Sequence, residues 1–289
     1  MNHFNAIALE HRDYRELGTS RYTAMSYLRE RQLTMQRLVL EEKPRPGVSV
    51  LTLNRPEKRN ALNVPMLEAL CEAVKRVSET DGQRVLVIRA AGAVFCAGLD
   101  LTEAQNPALK EKSGALVREM LSLVYGCPCV TIAAVHGAAL AGGGGLVAAC
   151  DIVLADMDAT FGFPEVQRGL VAGLIMTFLR RQLHERHVRE LLLLGEIIGA
   201  ERAAEMGLIT RAVPTDMLDE AVERHIDAIF SGAPGAIRDT KALLDALWHH
   251  PLSADLDAAQ AIHAQMRVSD EAMEGLAAFS ERRHPNWNQ

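Results

Sequence analysis

Aromatic residues are scarce in this chain. They make up 4% of 289 residues, with two tryptophans, while Ala, Gly and Leu dominate; close packing of helices and loops is expected rather than a β-sandwich. Positive charge is not in excess. Thirty-one Lys and Arg stand against 37 Asp and Glu, for a net charge of −6 spread along the chain, so the electrostatic footprint of a nucleic-acid binder is missing. No apolar run reaches the roughly 18 residues of a membrane-spanning helix. The first residues, Met1-Asn2-His3-Phe4-Asn5, lack the apolar stretch of a secretory signal. The five cysteines (Cys71, Cys96, Cys127, Cys129 and Cys150) are an odd number, against a disulfide framework and for a reducing compartment. Cys127-Pro128-Cys129 has no second Cys or His pair to complete a zinc site, and reads as buried thiols. Together these absences predict a cytoplasmic protein with no nucleic-acid and no membrane partner.

What is present is a hydrophobic content of 48%, sufficient for a real core, and an ordered alternation of elements. Residues 1–34 stand apart, with five arginines and three tyrosines and weak helical periodicity over 22–33; they form an extension, either a packing arm or a tail, or reflect a start at Met1 instead of Met35. Alternation over 36–41 and 48–53, around Lys43-Pro44-Arg45-Pro46-Gly47, predicts a hairpin. Asn63 caps a predicted helix reaching Glu79, with Leu67, Leu70, Val74 and Val77 on one face. Strand 84–90, a helix near 113–125, strand 130–135, a helix over 142–149 and strand 152–155 follow. This βαβ rhythm predicts an α/β fold with a largely parallel sheet. The last third reads as helices over 175–194, 200–206, 214–231, 234–249, 253–270 and 271–282, punctuated by Gly195, Gly207, Pro214 and Pro234.

Two glycine-bearing segments each follow an apolar, β-branched run: Phe95-Cys96-Ala97-Gly98-Leu99-Asp100-Leu101, and His136-Gly137 through Gly142-Gly143-Gly144-Gly145. Each turn at a strand end can present backbone N–H groups, and two such donors on one oxygen make an oxyanion hole. Phe161-Gly162-Phe163-Pro164-Glu165 adds a carboxylate in apolar surroundings, where desolvation raises the pKa of an acid and fits it to shuttle a proton.

In this order and spacing the segments resemble the crotonase (enoyl-CoA hydratase/isomerase) family, and the resemblance covers about residues 36–289. It implies a crotonase-like spiral of ββα units, with a core over 35–230 and a C-terminal helical region over 231–289 that completes the CoA site and the contacts of a homotrimer or dimer of trimers. It implies an acyl-CoA substrate whose thioester oxygen sits between the backbone N–H groups of Leu99 and Gly142, with Glu165 as acid/base. Lys58 and Arg59, in Arg55-Pro56-Glu57-Lys58-Arg59-Asn60-Ala61-Leu62-Asn63, are implied phosphate partners; Ala61 lies beside the pantetheine, and Ala97 and Leu101 flank the adenine. Phe279-Ser280-Glu281-Arg282-Arg283 matches a helix that closes over CoA, with Arg282 pairing a phosphate. Met176 and Phe178 are expected in the acyl pocket, Asp100 and Asp151 in structural hydrogen bonds, and His136 in the core. Coenzyme A enters as part of the substrate; no separate cofactor and no metal are expected.

One position departs from the family. Many of its hydratases carry a first glutamate where this chain has Gly145. Hydration uses two carboxylates, whereas one suffices to move a proton along an acyl chain, so the expected reaction is double-bond isomerisation with Glu165 alone. The alternatives are a hydratase, including one for a branched or carboxylated enoyl-CoA, another lyase or hydrolase on the same oxyanion hole, or a non-catalytic acyl-CoA-binding subunit.

Overall fold

Gly47 turns the chain at φ 79° and closes the hairpin of β1 (Val39–Arg45) and β2 (Val48–Leu53). The computed structural model describes residues 38–104 and 106–287; the extension assigned to 1–34 lies outside them. The first strand runs on to Arg45, beyond the alternation over 36–41, and its pairing shifts register between Glu42 and Arg45. It is an edge strand whose exposed Glu41, Glu42 and Lys43 discourage pairing with another chain.

After α1 (Val64–Glu79) come β3 (Val85–Ala90), the short α2 (Leu101–Ala104), α3 (Pro107–Tyr125), β4 (Val130–Val135), β5 (Ala138–Leu140), α4 (Gly142–Ala148), β6 (Ile152–Asp156) and β7 (Thr160–Gly162). A 3-10 turn (Pro164–Arg168) leads to α5 (Gly173–Gln182), α6 (Glu185–Leu194), β8 (Ile197–Gly199), α7 (Ala200–Met206) and β9 (Arg211–Val213). The chain ends in α8 (Leu218–Ser231), α9 (Pro234–Ala246), α10 (Leu252–Met266) and α11 (Asp270–Glu281). Among the described residues, six strands pair in the order β1-β2-β3-β4-β6-β9, parallel except for β1–β2. A second sheet of β5, β7 and β8 stands beside them.

Side-chain alternation along the large sheet builds two cores. Leu51, Leu53, Leu86, Ile88, Ala133, Val135 and Val153 face α1, α3, α4 and α5. Val48, Val85, Val87, Ile132, Ala134 and Leu154 face α8, through Leu218, Ala221, Val222 and Ile226. A strand buried on both faces must be apolar throughout, which is why Val85-Leu86-Val87-Ile88 is an unbroken run. The Asn63 side chain accepts from the Met66 N–H as the cap of α1, whose Leu67, Leu70, Val74 and Val77 are buried.

The predicted helix over 175–194 is two helices. Leu183 breaks it in extended backbone (φ −114°, ψ 153°), with no Gly or Pro to signal the break. The helix foreseen near 113–125 begins earlier, at Pro107, because the Asn106 side chain caps it by accepting from the Ala108 N–H. The three-residue strands β5, β7, β8 and β9 escaped the periodicity, since they are too short to show one.

Candidate active site

The site forms where two loops meet α4. Leu62 and Leu99 pair as an isolated bridge: the Leu62 N–H donates to Gly98 O at 2.8 Å and the Asp100 N–H to Leu62 O at 3.0 Å. The N–H of Leu99, between them, therefore points the other way and has no backbone partner among the described residues. Gly142 opens α4, and its N–H is one of the unpaired donors of a helix start. The two donors adjoin: a Cβ at Gly142 would stand 3.7 Å from Leu99 N, and one at Gly98 would stand 3.3 Å from Gly142 N. Gly98 has φ 93° and no room for a side chain, with Ala141 Cβ at 2.8 Å and Leu140 O at 3.0 Å.

Ala141 is held in unfavourable backbone, φ 50° and ψ −121°, to aim the next N–H. Its neighbours enforce this. The Ala141 N–H donates to Gly162 O at 2.8 Å, and the Leu140 N–H to Cys96 O at 2.9 Å. The glycine run then lets α4 approach three walls, because a Cβ at Gly143 would strike Cys96 O at 2.4 Å, one at Gly144 the Phe163 ring at 2.6 Å and one at Gly145 the Ile175 side chain at 2.9 Å. Each glycine costs a helix about 1 kcal/mol relative to alanine, so only this packing keeps α4 helical.

A cavity of about 460 Å³ opens in front of these donors. Glu165 enters it from the 3-10 turn, where Pro164 starts the element and Gly169 ends it at φ 65°. Its Oε2 is buried without a hydrogen bond. Burial pushes the carboxyl up to about 7 from an ordinary 4.5, against weaker opposing effects of a backbone N–H and of the Arg168 charge. Both protonation states are populated near neutral pH, as a group that takes and returns a proton requires.

Of the residues singled out in the sequence, Lys58, Arg59, Ala61, Ala97, Leu99, Leu101, Gly142, Glu165 and Phe279 all line this cavity. Arg282 does not: it caps α11 in left-handed backbone (φ 55°), outside the cavity wall. Met176 and Phe178 are also elsewhere. Met176 faces a neighbouring cavity of about 570 Å³ with Trp248 and Ile262, and Phe178 is fully buried, 5.5 Å edge-on from Tyr125. The helix turns Leu174 and Ile175 toward the cavity that Glu165 enters instead. His136 is not a core residue; it is half-buried and its Nε2 meets Gly92 O at 2.7 Å.

Asp100 has a structural role, paired with Arg55 at 2.8 Å, while Arg55 also donates to Ala61 O. Burial pushes the Asp100 carboxyl up, but the Arg55 pair and the donating Thr102 N–H together hold it below its usual range. Asp151 accepts from Thr131 and from Lys241 Nζ at 2.6 Å. Asn60, fully buried at φ 51°, ties the loop over 55–61 together through Arg55 N, Ala91 O and Val94 O. Arg168, Lys110, His263 and Arg267 line the cavity as well and were missed in the sequence.

Gly145 is the informative absence. A Cβ at this position would stand 2.9 Å from Ile175 Cγ1, 3.5 Å from Ile175 Cδ1 and 3.6 Å from Leu121 Cδ2. Apolar carbon already occupies the space a longer side chain would need. Among the described residues no group of three or more His, Cys, Asp or Glu is arranged to hold a metal ion, and no helix is long and apolar enough to cross a membrane.

The enoyl-CoA hydratase/isomerase family pattern matches residues 43–289. Enoyl-CoA hydratase domain-containing protein 3, mitochondrial, of Rattus norvegicus is 32% identical over 249 residues, covering 84% of this chain and 82% of that protein. Mevalonyl-coenzyme A hydratase of Aspergillus fumigatus is 32% identical over 255 residues, covering 84% and 92%. The crystal structure of an enoyl-CoA hydratase from Mycobacterium avium has a TM-score of 0.77 at 32% identity, covering 87% of this chain and 99% of that one.

Proposed function

The chain belongs to the enoyl-CoA hydratase/isomerase family, and from that premise we propose that it moves the double bond of an enoyl-CoA, with Glu165 as its single acid/base. Ionised Glu165 takes a proton from C2 of a 3-enoyl-CoA. The C–H electron pair becomes part of a dienolate whose negative charge rests on the thioester oxygen, between the Leu99 and Gly142 N–H groups. Protonated Glu165 then returns the proton at C4, leaving the double bond between C2 and C3. Two backbone donors aimed at such an oxygen are each worth on the order of 3 kcal/mol in the transition state. No cofactor beyond the coenzyme A of the substrate enters this scheme.

The observation that carries the choice is the filling of the space beside Gly145 by Ile175 and Leu121. Hydration needs a second polar group to hold and deprotonate water, and an apolar wall offers none. The hydratase names of the relatives favour the second reading, addition of water, with some other group replacing the absent carboxylate. Mass spectrometry of the protein incubated with 2-enoyl-CoA esters separates the two: the expected result is no gain of mass, and the gain of one water overturns the isomerase reading.

The proposed assembly is a homotrimer or dimer of trimers. It is supported by the exposed apolar residues of the C-terminal helices and the segment between them: Leu243, Leu244, Leu247, Trp248 and Ile262. α9 has no buried residue within one chain.

A further inference from the structure

Arg168 lines the substrate cavity, where the charge of Glu165 acts on it but no carboxylate of the described residues pairs with it. It ends the 3-10 turn that begins at Pro164 and carries Glu165. Its Nε is buried with no hydrogen bond. No hydrogen bond or ion pair joins its guanidinium to another described residue, Glu165 included. Its one stacking contact is the Phe279 ring, whose centroid lies 4.5 Å from Cζ. A partly desolvated guanidinium that no carboxylate pairs with is costly, and a ligand that brings its own anion into the cavity offsets that cost.

The surrounding charge is one-sided in the same sense. Lys110 and Arg267 line the same wall, and their donors go to backbone carbonyls and to Ser113 Oγ, not to carboxylates. The cavity's two carboxylates are Asp100, already paired with Arg55, and Glu165, held partly neutral by burial. The phosphates of coenzyme A have their own proposed partners in exposed Lys58 and Arg59, on a different element. Arg168 shares its turn with Glu165, the proposed acid/base.

We infer that the acyl group of the substrate carries a carboxylate, bound by the Arg168 guanidinium with Phe279 flanking its plane. This rests on the reading of the cavity as an acyl-CoA site. Arginine suits the task because its planar fork presents paired N–H donors to a carboxylate.

The test is calorimetric titration of the full chain with glutaryl-CoA, pentanoyl-CoA and free coenzyme A. The two esters share a chain length, and neither contains a double bond to move, so binding is read apart from turnover. The wild-type protein is expected to bind glutaryl-CoA about 10- to 100-fold more tightly than pentanoyl-CoA, the range for a charge-assisted pair. Arg168→Gln removes that preference while changing pentanoyl-CoA and free coenzyme A affinity little, and Arg168→Lys, which keeps the charge without the fork, retains part of it. Equal wild-type affinity for the two esters overturns the inference. So does an equal loss for all three ligands in Arg168→Gln, which makes Arg168 a phosphate partner. Failure of wild-type protein to bind any of the three refutes the acyl-CoA reading itself, and this inference with it.

Discussion

Glu165→Gln should stabilise the fold in alkaline solution and leave it unchanged in acid. An unfolded glutamate titrates near 4.5, while burial holds the folded one at about 7. Below the unfolded value both states are protonated, and the fold bears no charge at this site. As pH rises through the window from 4.5 to about 7, the unfolded state releases its proton while the folded state keeps it, so the fold loses stability. Above about 7 the loss is complete and constant. The gap corresponds to roughly 3 kcal/mol at about 1.4 kcal/mol per tenfold change in proton affinity. This is an upper value, because solvent reaches part of the residue. Glutamine keeps the shape and never ionises. Urea unfolding of both proteins, near pH 4 and near pH 8.5, should give equal stabilities in acid and a variant about 2–3 kcal/mol more stable in base. A difference that does not change with pH would refute the claim that Glu165 is a desolvated carboxylate.

Other outcomes follow from the same geometry. Gly98→Ala drives a methyl into Ala141 and Leu140 and displaces the Leu99 N–H; kcat/KM should fall by about 100-fold or more, read in steady-state kinetics. Ala141→Gly relieves the positive φ and should raise stability by about 1 kcal/mol in urea unfolding, whereas Ala141→Val should lower it. Asn60→Ala removes the donors to Ala91 and Val94 and the acceptor for Arg55, and should cost about 3 kcal/mol by the same assay. Gly145→Ala collides with Ile175, so the double variant with Ile175→Ala should be more stable than the sum of the single effects by about 1 kcal/mol, measured as a double-mutant cycle.

The parts of this molecule readable in the sequence were those fixed by local backbone chemistry. Asn63 announced its helix because a cap is a property of a few adjacent residues. The glycine run of 142–145 announced backbone donors after a strand, although the walls it packs against (Cys96, Phe163 and Ile175) are contributed from elsewhere in the chain. The break at Leu183 and the outward turn of Met176 were not readable, since each is decided by what packs across from it. Ile175 and Leu121 are similar: nothing local in two apolar residues says that they fill the place of a carboxylate. Arg168 looked like any loop charge, and only its buried Nε, without a hydrogen bond in the cavity that Glu165 enters, sets it apart.

The most direct measurement follows a deuterium label. Glu165 is assigned both proton transfers, so 3-enoyl-CoA deuterated at C2 should give 2-enoyl-CoA with part of the label carried to C4, and Glu165→Gln should abolish the conversion. Product in which water has added across the double bond, or unchanged turnover in Glu165→Gln, would contradict the account.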